Sequence, residues 1–381
     1  MVPKNELTLR VARSLAEIPA AQWDACAGDD NPFVSHAFLS ILEDSGSVSA
    51  ETGWVPRPLL LEDASGTLIG AVPLYAKAHS WGEYVFDQNW AEAYERAGGA
   101  YYPKLQVAVP FTPVPGARLL VRPDAPAETA DLLIDGLVET ARRAGVSSLH
   151  VTFPDRADQD RLTAKGFSPR IGQQFHWRND GYRDFDDFLA ALTARKRKSL
   201  RRERQSVAAS GLVLRTLTGH EIGPQHWDAF YRFYLATVDK KWGSAYLSRA
   251  FFFLLGERLG DKVVLMLAER DGEPVAGALN LRGHEALYGR NWGASEEVPF
   301  LHFELCYYRA IDYAIAHGLK RVEAGAQGTH KIQRGYLPVE THSAHWFRDP
   351  GLKHAVDRFL AQERQAMQRE IEALAAFSPF R

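Results

Sequence analysis

Between Leu301 and Lys331 the chain gathers the side chains best suited to moving protons and holding a group in transfer. In the run His302-Phe-Glu304-Leu-Cys306-Tyr307-Tyr308, the residues Glu304, Tyr307, Tyr308, Ile311, Ala314 and Ile315 recur at the i, i+3, i+4, i+7 positions of one helical face. That face is largely apolar, so a carboxylate at its head is partly desolvated and its pKa rises toward a value useful to a general base. Glu304 is the first candidate base. The competing reading is an acid in the first helical turn that complements the macrodipole. His302 stands about 200° around a helix of 3.6 residues per turn from Glu304 and cannot share its face. It is either a second titratable group turned toward a neighbouring element or a structural histidine. Tyr308 supplies a phenol beside the carboxylate. Cys306 has His302 and Arg309 as helical neighbours, which would lower a thiol pKa; packing in an apolar helix is the alternative.

The loop Gly325-Ala-Gln-Gly328-Thr-His330-Lys331 leaves the end of a predicted strand, where α/β units place ligands. Its glycines allow close backbone approach, His330 is titratable near neutrality and Lys331 is a fixed charge for a phosphate. A solvated turn is the other reading. Glu323, in the strand just before, is either a second carboxylate of the cleft or an outward residue.

The elements that must hold these groups repeat. Lys165-Gly-Phe-Ser-Pro169 matches Arg334-Gly-Tyr-Leu-Pro338, and His176-Trp177 matches His345-Trp346 at the same offset, so the chain contains two copies of one unit. Each copy has a hairpin: Pro58 to Glu62, a turn, then Leu68 to Tyr75; and Val263 to Glu269, the turn Arg270-Asp-Gly272, then Val275 to Leu281. Each continues with a helix ending at a glycine, Ala130 to Ala144 and Leu301 to His317, and a short strand, Ser148 to Phe153 and Arg321 to Ala324. The expected class is mixed α/β (α+β). The expected domains are 1–180, 181–348 with a basic helix at 188–209, and a closing helix over 349–381, with Asp349 as N-cap and Pro350 at its first position.

Composition agrees with a globular protein. The 381 residues are 46% hydrophobic and 24% charged, with a net charge of −2 that argues against a protein basic overall. Two distant cysteines support neither a disulfide framework nor a thiolate metal site, and no metal is expected. No leader segment or apolar run of spanning length is visible, so a cytoplasmic protein is expected, with peripheral contact at the inner membrane as an option. The exception to the balanced charge is Arg195-Lys196-Arg197-Lys198-Ser-Leu-Arg201-Arg-Glu-Arg204, with seven positive charges and one negative. A run this dense suits a polyanion, although a solvated helix is the alternative. No helix-turn-helix or zinc pattern accompanies it, so DNA is not expected as a partner.

The hairpin with an Asp-Gly turn, the helix, the strand and the basic residue before Gly-Phe or Gly-Tyr together resemble the GNAT acetyltransferase fold. Two such units resemble the Fem-type aminoacyltransferases. The strings Phe86-Asp87-Gln-Asn-Trp90, Tyr101-Tyr102-Pro-Lys104, Asp239-Lys-Lys-Trp242-Gly243, His302-Phe-Glu-Leu-Cys-Tyr-Tyr308 and Gly325 to Lys331 look like the Fem-like predicted N-acyltransferases of proteobacteria. Some members of that group are bacterial ceramide synthases. The resemblance implies acyl transfer from a thioester donor, acyl-CoA or an acyl carrier protein, to an amine acceptor such as a long-chain sphingoid base. It implies donor contacts from Arg195, Lys196, Arg197, Lys198, Arg201, Gly325, Gly328 and Lys331. It implies substrate contacts from Asp87, Trp90, Tyr101, Tyr102, Lys104, Asp239 and Trp242. His330 would polarise the acyl carbonyl or protonate the leaving thiolate. Ordinary GNAT enzymes hold pyrophosphate on a Gln/Arg-x-x-Gly-x-Gly/Ala loop. Here Gly293-Ala-Ser-Glu-Glu-Val-Pro-Phe300 and the region Arg122 to Glu128 both lack that spacing. A carrier-bound pantetheine, an aminoacyl-tRNA donor as in peptidoglycan synthesis, and a non-catalytic binding module therefore stand as alternatives.

Overall fold

The computed structural model describes residues 7–240 and 243–381. Strand β1 (Thr8–Val11) leads into helices α1 (Ala20–Ala27) and α2 (His36–Asp44), then β2 (Trp54–Pro56), β3 (Leu59–Glu62), β4 (Leu68–Val72) and β5 (Leu74–Lys77). Helix α3 (Gln88–Arg96), β6 (Lys104–Val107), β7 (Leu120–Val121), α4 (Thr129–Ala144), β8 (Ser148–Thr152), α5 (Arg156–Ala164) and β9 (Ser168–Arg178) follow. Next come α6 (Phe185–Ala191), the basic α7 (Ala194–Ala208), β10 (Val213–Thr218), α8 (Pro224–Lys240) and α9 (Arg249–Leu259). The chain continues with β11 (Val263–Arg270), β12 (Glu273–Arg282) and β13 (Ala286–Ala294). A helix in three parts then runs through α10 (Leu301–Phe303), a π-turn (Glu304–Tyr308) and α11 (Arg309–Ala316). Strands β14 (Arg321–Glu323) and β15 (Leu337–Phe347) precede α12 (Pro350–Ala375). The architecture is the expected mixed α+β one. Among the described residues no helix is long and apolar enough to cross a membrane.

One compact unit takes the described residues up to Gly172 together with Thr341–Gln368; the other takes Gln173–Glu340 with Arg369–Arg381. In the first, β1, β3, β4 and β7 form an antiparallel sheet. A second sheet orders β2, β5, β6 and β8, with residues 343–347 antiparallel on the far side of β8. Helix α4 buries Leu133, Ile134, Leu137 and Ala141, spaced for one helical face, against Leu59, Val72, Leu149 and Val151. Gly145 ends it in the left-handed conformation.

In the second unit the order is β10, β11, β12, β13, β14, then residues 176–178 of β9. The β11–β12 hairpin closes on Asp271 and Gly272, both at positive φ, the two-residue turn whose twist matches that of the strands. Its apolar faces meet Leu301, Leu305, Ile311 and Ala314 of the three-part helix.

The repeated His-Trp dipeptides therefore lie in opposite units from the copies that encode them: His176-Trp177 pairs with β14, and His345-Trp346 pairs with β8. The first unit needs the far end of the chain for its core, because Phe347, Leu352, Val356 and Leu360 pack on Trp90, Ala91 and Tyr101. A fragment ending at residue 180 lacks that layer and is expected to show no cooperative urea transition. Adding residues 337–381 in trans should recover one. A 1–180 fragment that melts cooperatively alone contradicts this reading.

Candidate functional site

The π-turn is the local irregularity that builds the site in the second unit. The amide of Arg309 donates to the Glu304 carbonyl, five residues back, so one residue more than an α-helix allows is held in the turn. Side chains five apart become neighbours. The His302 and Tyr307 rings lie 5.3 Å apart edge to face, and Arg309 Nε lies 3.9 Å from Glu304 Oε1. A 3.6-residue reading pairs His302 with Cys306 and Arg309; the extra residue pairs it with Tyr307.

Around His302 stand Trp292, Phe303 and His330, with ring centroids at 5.1, 5.5 and 6.2 Å. The Trp292 carbonyl accepts from Thr237 Oγ1 of α8 at 2.9 Å, which ties the end of β13 in place. His330 Nε2 lies 3.2 Å from the Tyr307 hydroxyl. Gly328 permits this, because a Cβ there would sit 2.4 Å from the His330 ring, and its φ of +96° disfavours other residues. Arg334 stacks over Phe303 at 3.4 Å and donates to the His330 carbonyl at 2.8 Å. Burial, then the positive charges of Arg334 and Lys331, hold the exposed His330 below the usual histidine pKa. Burial pushes the Tyr307 phenol upward, so it stays protonated.

Adjacent residues of α7 clamp the two ends of the π-turn. Arg204 donates to both Glu304 oxygens at 3.2 and 3.0 Å and to Asp312 at 2.7 Å. Glu203 accepts from the Tyr308 hydroxyl and from Arg334 at 2.8 Å. Burial raises the Glu304 pKa and Arg204 opposes it. Several of the helix's other cations face water: Arg195, Lys198, Arg201 and Arg202 are exposed, Arg201 meets Asp186 at 3.0 Å, and Arg197 reaches the Ala190 carbonyl at 3.5 Å. Among the described residues, Arg195, Lys196, Lys198 and Arg202 have no ion-pair partner.

The structure thus brings His302 and His330 together around Tyr307, whereas Glu304 and Tyr308 turn to Arg204 and Glu203 of α7. Lys331 is buried, and its ammonium donates to the carbonyls of Ala324 and Gly325, bracing the loop from beneath. Glu323 is buried against Arg321 at 2.9 Å, with the neutral His176, its pKa down at about 3, 3.8 Å away. Cys306 is half-buried and burial pushes its thiol up, away from a thiolate. Asp239 is exposed on α8, and Trp242 falls outside the described residues. The partners that sequence reasoning did not single out are Tyr307, Glu203, Arg204 and Arg334. Tyr307 was visible on the helical face, but only the π-turn turns it to His330.

The remaining candidates meet in the first unit. Lys104 donates to Asp87 at 2.6 Å, Glu83 at 2.8 Å and Ser80 at 2.8 Å, which uses all three ammonium hydrogens. Tyr101 donates to Asp87 at 2.7 Å, the Tyr102 hydroxyl shares a hydrogen bond with Ser80, and Trp90 packs edge-on against His345 at 5.0 Å. Burial pulls the Asp87 carboxyl upward, but the Lys104 ammonium overrides it and holds Asp87 far below the usual carboxylate range, whereas burial lifts Glu83 to about 7. Among the described residues no group of three or more His, Cys, Asp or Glu side chains is placed to hold a metal ion.

The clamp generates a prediction. Arg204→Ala leaves the Glu304 carboxylate buried without its main partner and should destabilise the protein by about 3 kcal/mol near neutral pH, read from urea unfolding. Loss of the guanidinium raises the folded Glu304 pKa further above its unfolded value. Stability then falls as pH climbs from the unfolded pKa through the folded one, so the deficit should be smaller at about pH 5 than at about pH 8. Adding Glu304→Gln should flatten that dependence. A deficit equal at both pH values contradicts the assignment.

The FemAB-like family, described by peptidoglycan biosynthesis/recognition, matches residues 14–381. No curated protein compared with the chain matches it significantly in sequence. Among solved structures, a C-terminal domain (DUF2156) ascribed to a lysylphosphatidylglycerol synthetase from Agrobacterium fabrum superposes with a TM-score of 0.57 at 11% identity, over 92% of this chain and 97% of that one. FemX does so with 0.57 at 12%, over 89% and 98%. L-PGS from Bacillus licheniformis gives 0.50 at 12%, over 87% and 98%. At these identities the likeness is one of fold, and the family match carries the assignment: the chain belongs to the FemAB-like family.

Proposed function

We propose that the chain transfers an acyl group from a thioester donor to an amine, with the reaction in the second unit. The observation that carries this is the parting of two parallel strands beside a proton-transfer pair. Strands β13 and β14 pair only from Ala286 with Arg321 to Tyr288 with Glu323. Beyond that point β13 stays with β12, whereas Ala324 and Gly325 exchange hydrogen bonds with Phe175. A narrow thioester arm fits such a split, and its carbonyl would arrive where Tyr307 and His330 meet.

The first unit has the same parallel pair and no free split. Strands β6 and β8 pair from Leu105 with Leu149 to Val107 with Val151. Past them, Gly116 lies parallel to Pro154, donating to the Phe153 carbonyl and accepting from Asp155 at 3.1 Å each. The fully buried Arg118 fills the remainder, giving its guanidinium to the carbonyls of Val114, Gly116, Ala117 and Thr152. This supports one reaction site per chain.

In that site the amine nitrogen attacks the thioester carbon, a C–N bond forms and the C–S bond breaks. The proton released by nitrogen passes to the neutral His330, with the Tyr307 hydroxyl as relay, and returns to the departing thiolate. Glu304, spent on Arg204, positions the π-turn. The exposed cations of α7 suit the phosphates of acyl-CoA or the acidic face of an acyl carrier protein. The rings of Trp292, Phe303 and the exposed Phe300 suit an apolar acceptor, and we take a long-chain amino alcohol such as a sphingoid base as the substrate, met by a cytoplasmic enzyme at the inner-membrane surface. The same row of cations favours a second reading, an aminoacyl-tRNA donor in the Fem manner.

The test is thiol release from palmitoyl-CoA with and without sphinganine. His330→Gln should lower kcat/KM by about a hundredfold or more, with Tyr307→Phe also impaired. In the wild type, kcat/KM should rise with pH and level off, its acid limb set by the lowered His330 pKa and lying below that of an unperturbed histidine. That limb should vanish in His330→Gln. Wild-type activity in His330→Gln removes the proposed base; silence with every CoA donor and turnover with aminoacyl-tRNA selects the second reading.

A further inference from the structure

A cleft of about 770 Å³ opens in the first unit, and the described residues that line it all belong to that unit. Its size is that of a small-molecule site. It lies where the edge strand β1 faces β5 and β6 beside the C-terminal turn of α4, at the end of the parallel β6–β8 pair opposite to Gly116. Its floor is apolar, made by Leu9, Val11, Ala76, Leu105 and Val146. Leu9 and Val11 are more than a third exposed, which is unusual for two alternate apolar residues on a strand whose other edge is paired to β3.

The charges at its rim are one-sided. Arg10, Arg57 and Arg143 line it with a single acid, Glu139. Arg10 is held by Glu62 at 2.8 Å, and Arg143 by Glu139 at 2.7 Å on the exposed face of α4. Arg57 has a different environment: its guanidinium donates only to the carbonyl of its own neighbour Pro56, at 2.8 Å, and among the described residues it has no acid partner. The cleft therefore offers a long apolar floor and, beside it, a guanidinium whose remaining donors are free for a planar or tetrahedral anion.

We propose that this cleft binds a single-chain amphiphile with an anionic head, the alkyl chain along Leu9, Val11 and Ala76 and the carboxylate or phosphate at Arg57. It is independent of the acyl-transfer reading and uses none of the residues assigned there. The rim charge disfavours a cationic head such as a free long-chain amine, so the ligand differs in class from the amine acceptor.

Equilibrium dialysis of the full chain, below the micellar range of each probe, tests this. Hexadecanoate and hexadecyl phosphate are the anionic probes, hexadecyltrimethylammonium the cationic control and octanoate the short-chain control. At least one of the two anionic long chains should bind with one-to-one stoichiometry, and the tighter of them identifies the head group. Ala144→Trp, at the exposed end of α4, should fill the cleft and weaken binding by about tenfold or more. Arg57→Gln leaves the cleft open and should weaken only the anionic probes, with unchanged thermal unfolding for both variants and unchanged thiol release in Arg57→Gln. Equal binding of anionic and cationic chains, or no loss in Arg57→Gln, overturns the proposal, as does failure of both anionic probes to bind. Should Ala144→Trp not fold, Arg57→Gln decides alone.

Discussion

One surplus residue in the turn Glu304–Tyr308 sets the geometry on which the second unit's site depends. Left to itself a helix closes its hydrogen bonds four residues back, and an inserted residue costs a poorer bond and a widened bore. Here the cost is offset by clamps at both ends of the turn. Neighbouring residues of α7 bind its first and last members, Arg204 holding Glu304 and Glu203 holding Tyr308. Because Glu203 and Arg204 are fixed relative to each other by one helical step, the span between their partners is fixed too. A relaxed α-helix would rotate Tyr307 away from His330, so the α7 contacts and the Tyr307–His330 contact are two consequences of one constraint.

The same helix divides its charge between structure and surface. It spends Glu203 and Arg204 on the turn and buries Leu200 and Val207 in the core, while Arg195 and Lys198 near its start stay exposed. A run of seven cations in isolation would be a self-repelling segment. Pairing one of them with two acids anchors the remainder on the second unit.

Much of this was legible in residue pattern. The hairpin around Asp271 and Gly272, helix α4 ending at Gly145, and the cap of α12, where Asp349 accepts from the Leu352 amide at 2.8 Å, follow from local chemistry that a single sequence displays. His302, Glu304, Tyr308 and His330 were also singled out by residue type, and the fold sets His302 and His330 around Tyr307 while Glu304 and Tyr308 turn to α7. Two features were not legible. The π-turn has no sequence signature, since it is stabilised by tertiary contacts from α7 that lie a hundred residues away in the chain. The exchange of His-Trp strands was hidden for the opposite reason: both copies carry the same dipeptide, so pattern alone cannot say which unit each one completes. Lys331 shows a third limit. A lysine in a glycine loop reads as a free charge, and only the folded loop reveals that its donors are taken by Ala324 and Gly325.

The first unit shows what becomes of such groups where a split is filled. Its Lys104, Glu83 and Asp87 are nearly inaccessible to water, and burying three charges costs several kcal/mol per ion before their attraction repays it. A hydrophobic core of equal volume would be no less stable, so stability alone does not explain the network. Geometry does. The buried charges hold the segment 79–87 from below, Lys104 through Ser80, Glu83 and Asp87, and Lys77 through the Trp81 carbonyl at 3.1 Å. With every hydrogen of Lys104 committed, this cluster has no cation to offer a ligand, whereas the α7 surface of the second unit has four. Equivalent charge chemistry is thus used in one unit to fix a loop and in the other to leave a surface open, and the difference follows from whether each donor already has an acceptor in the chain.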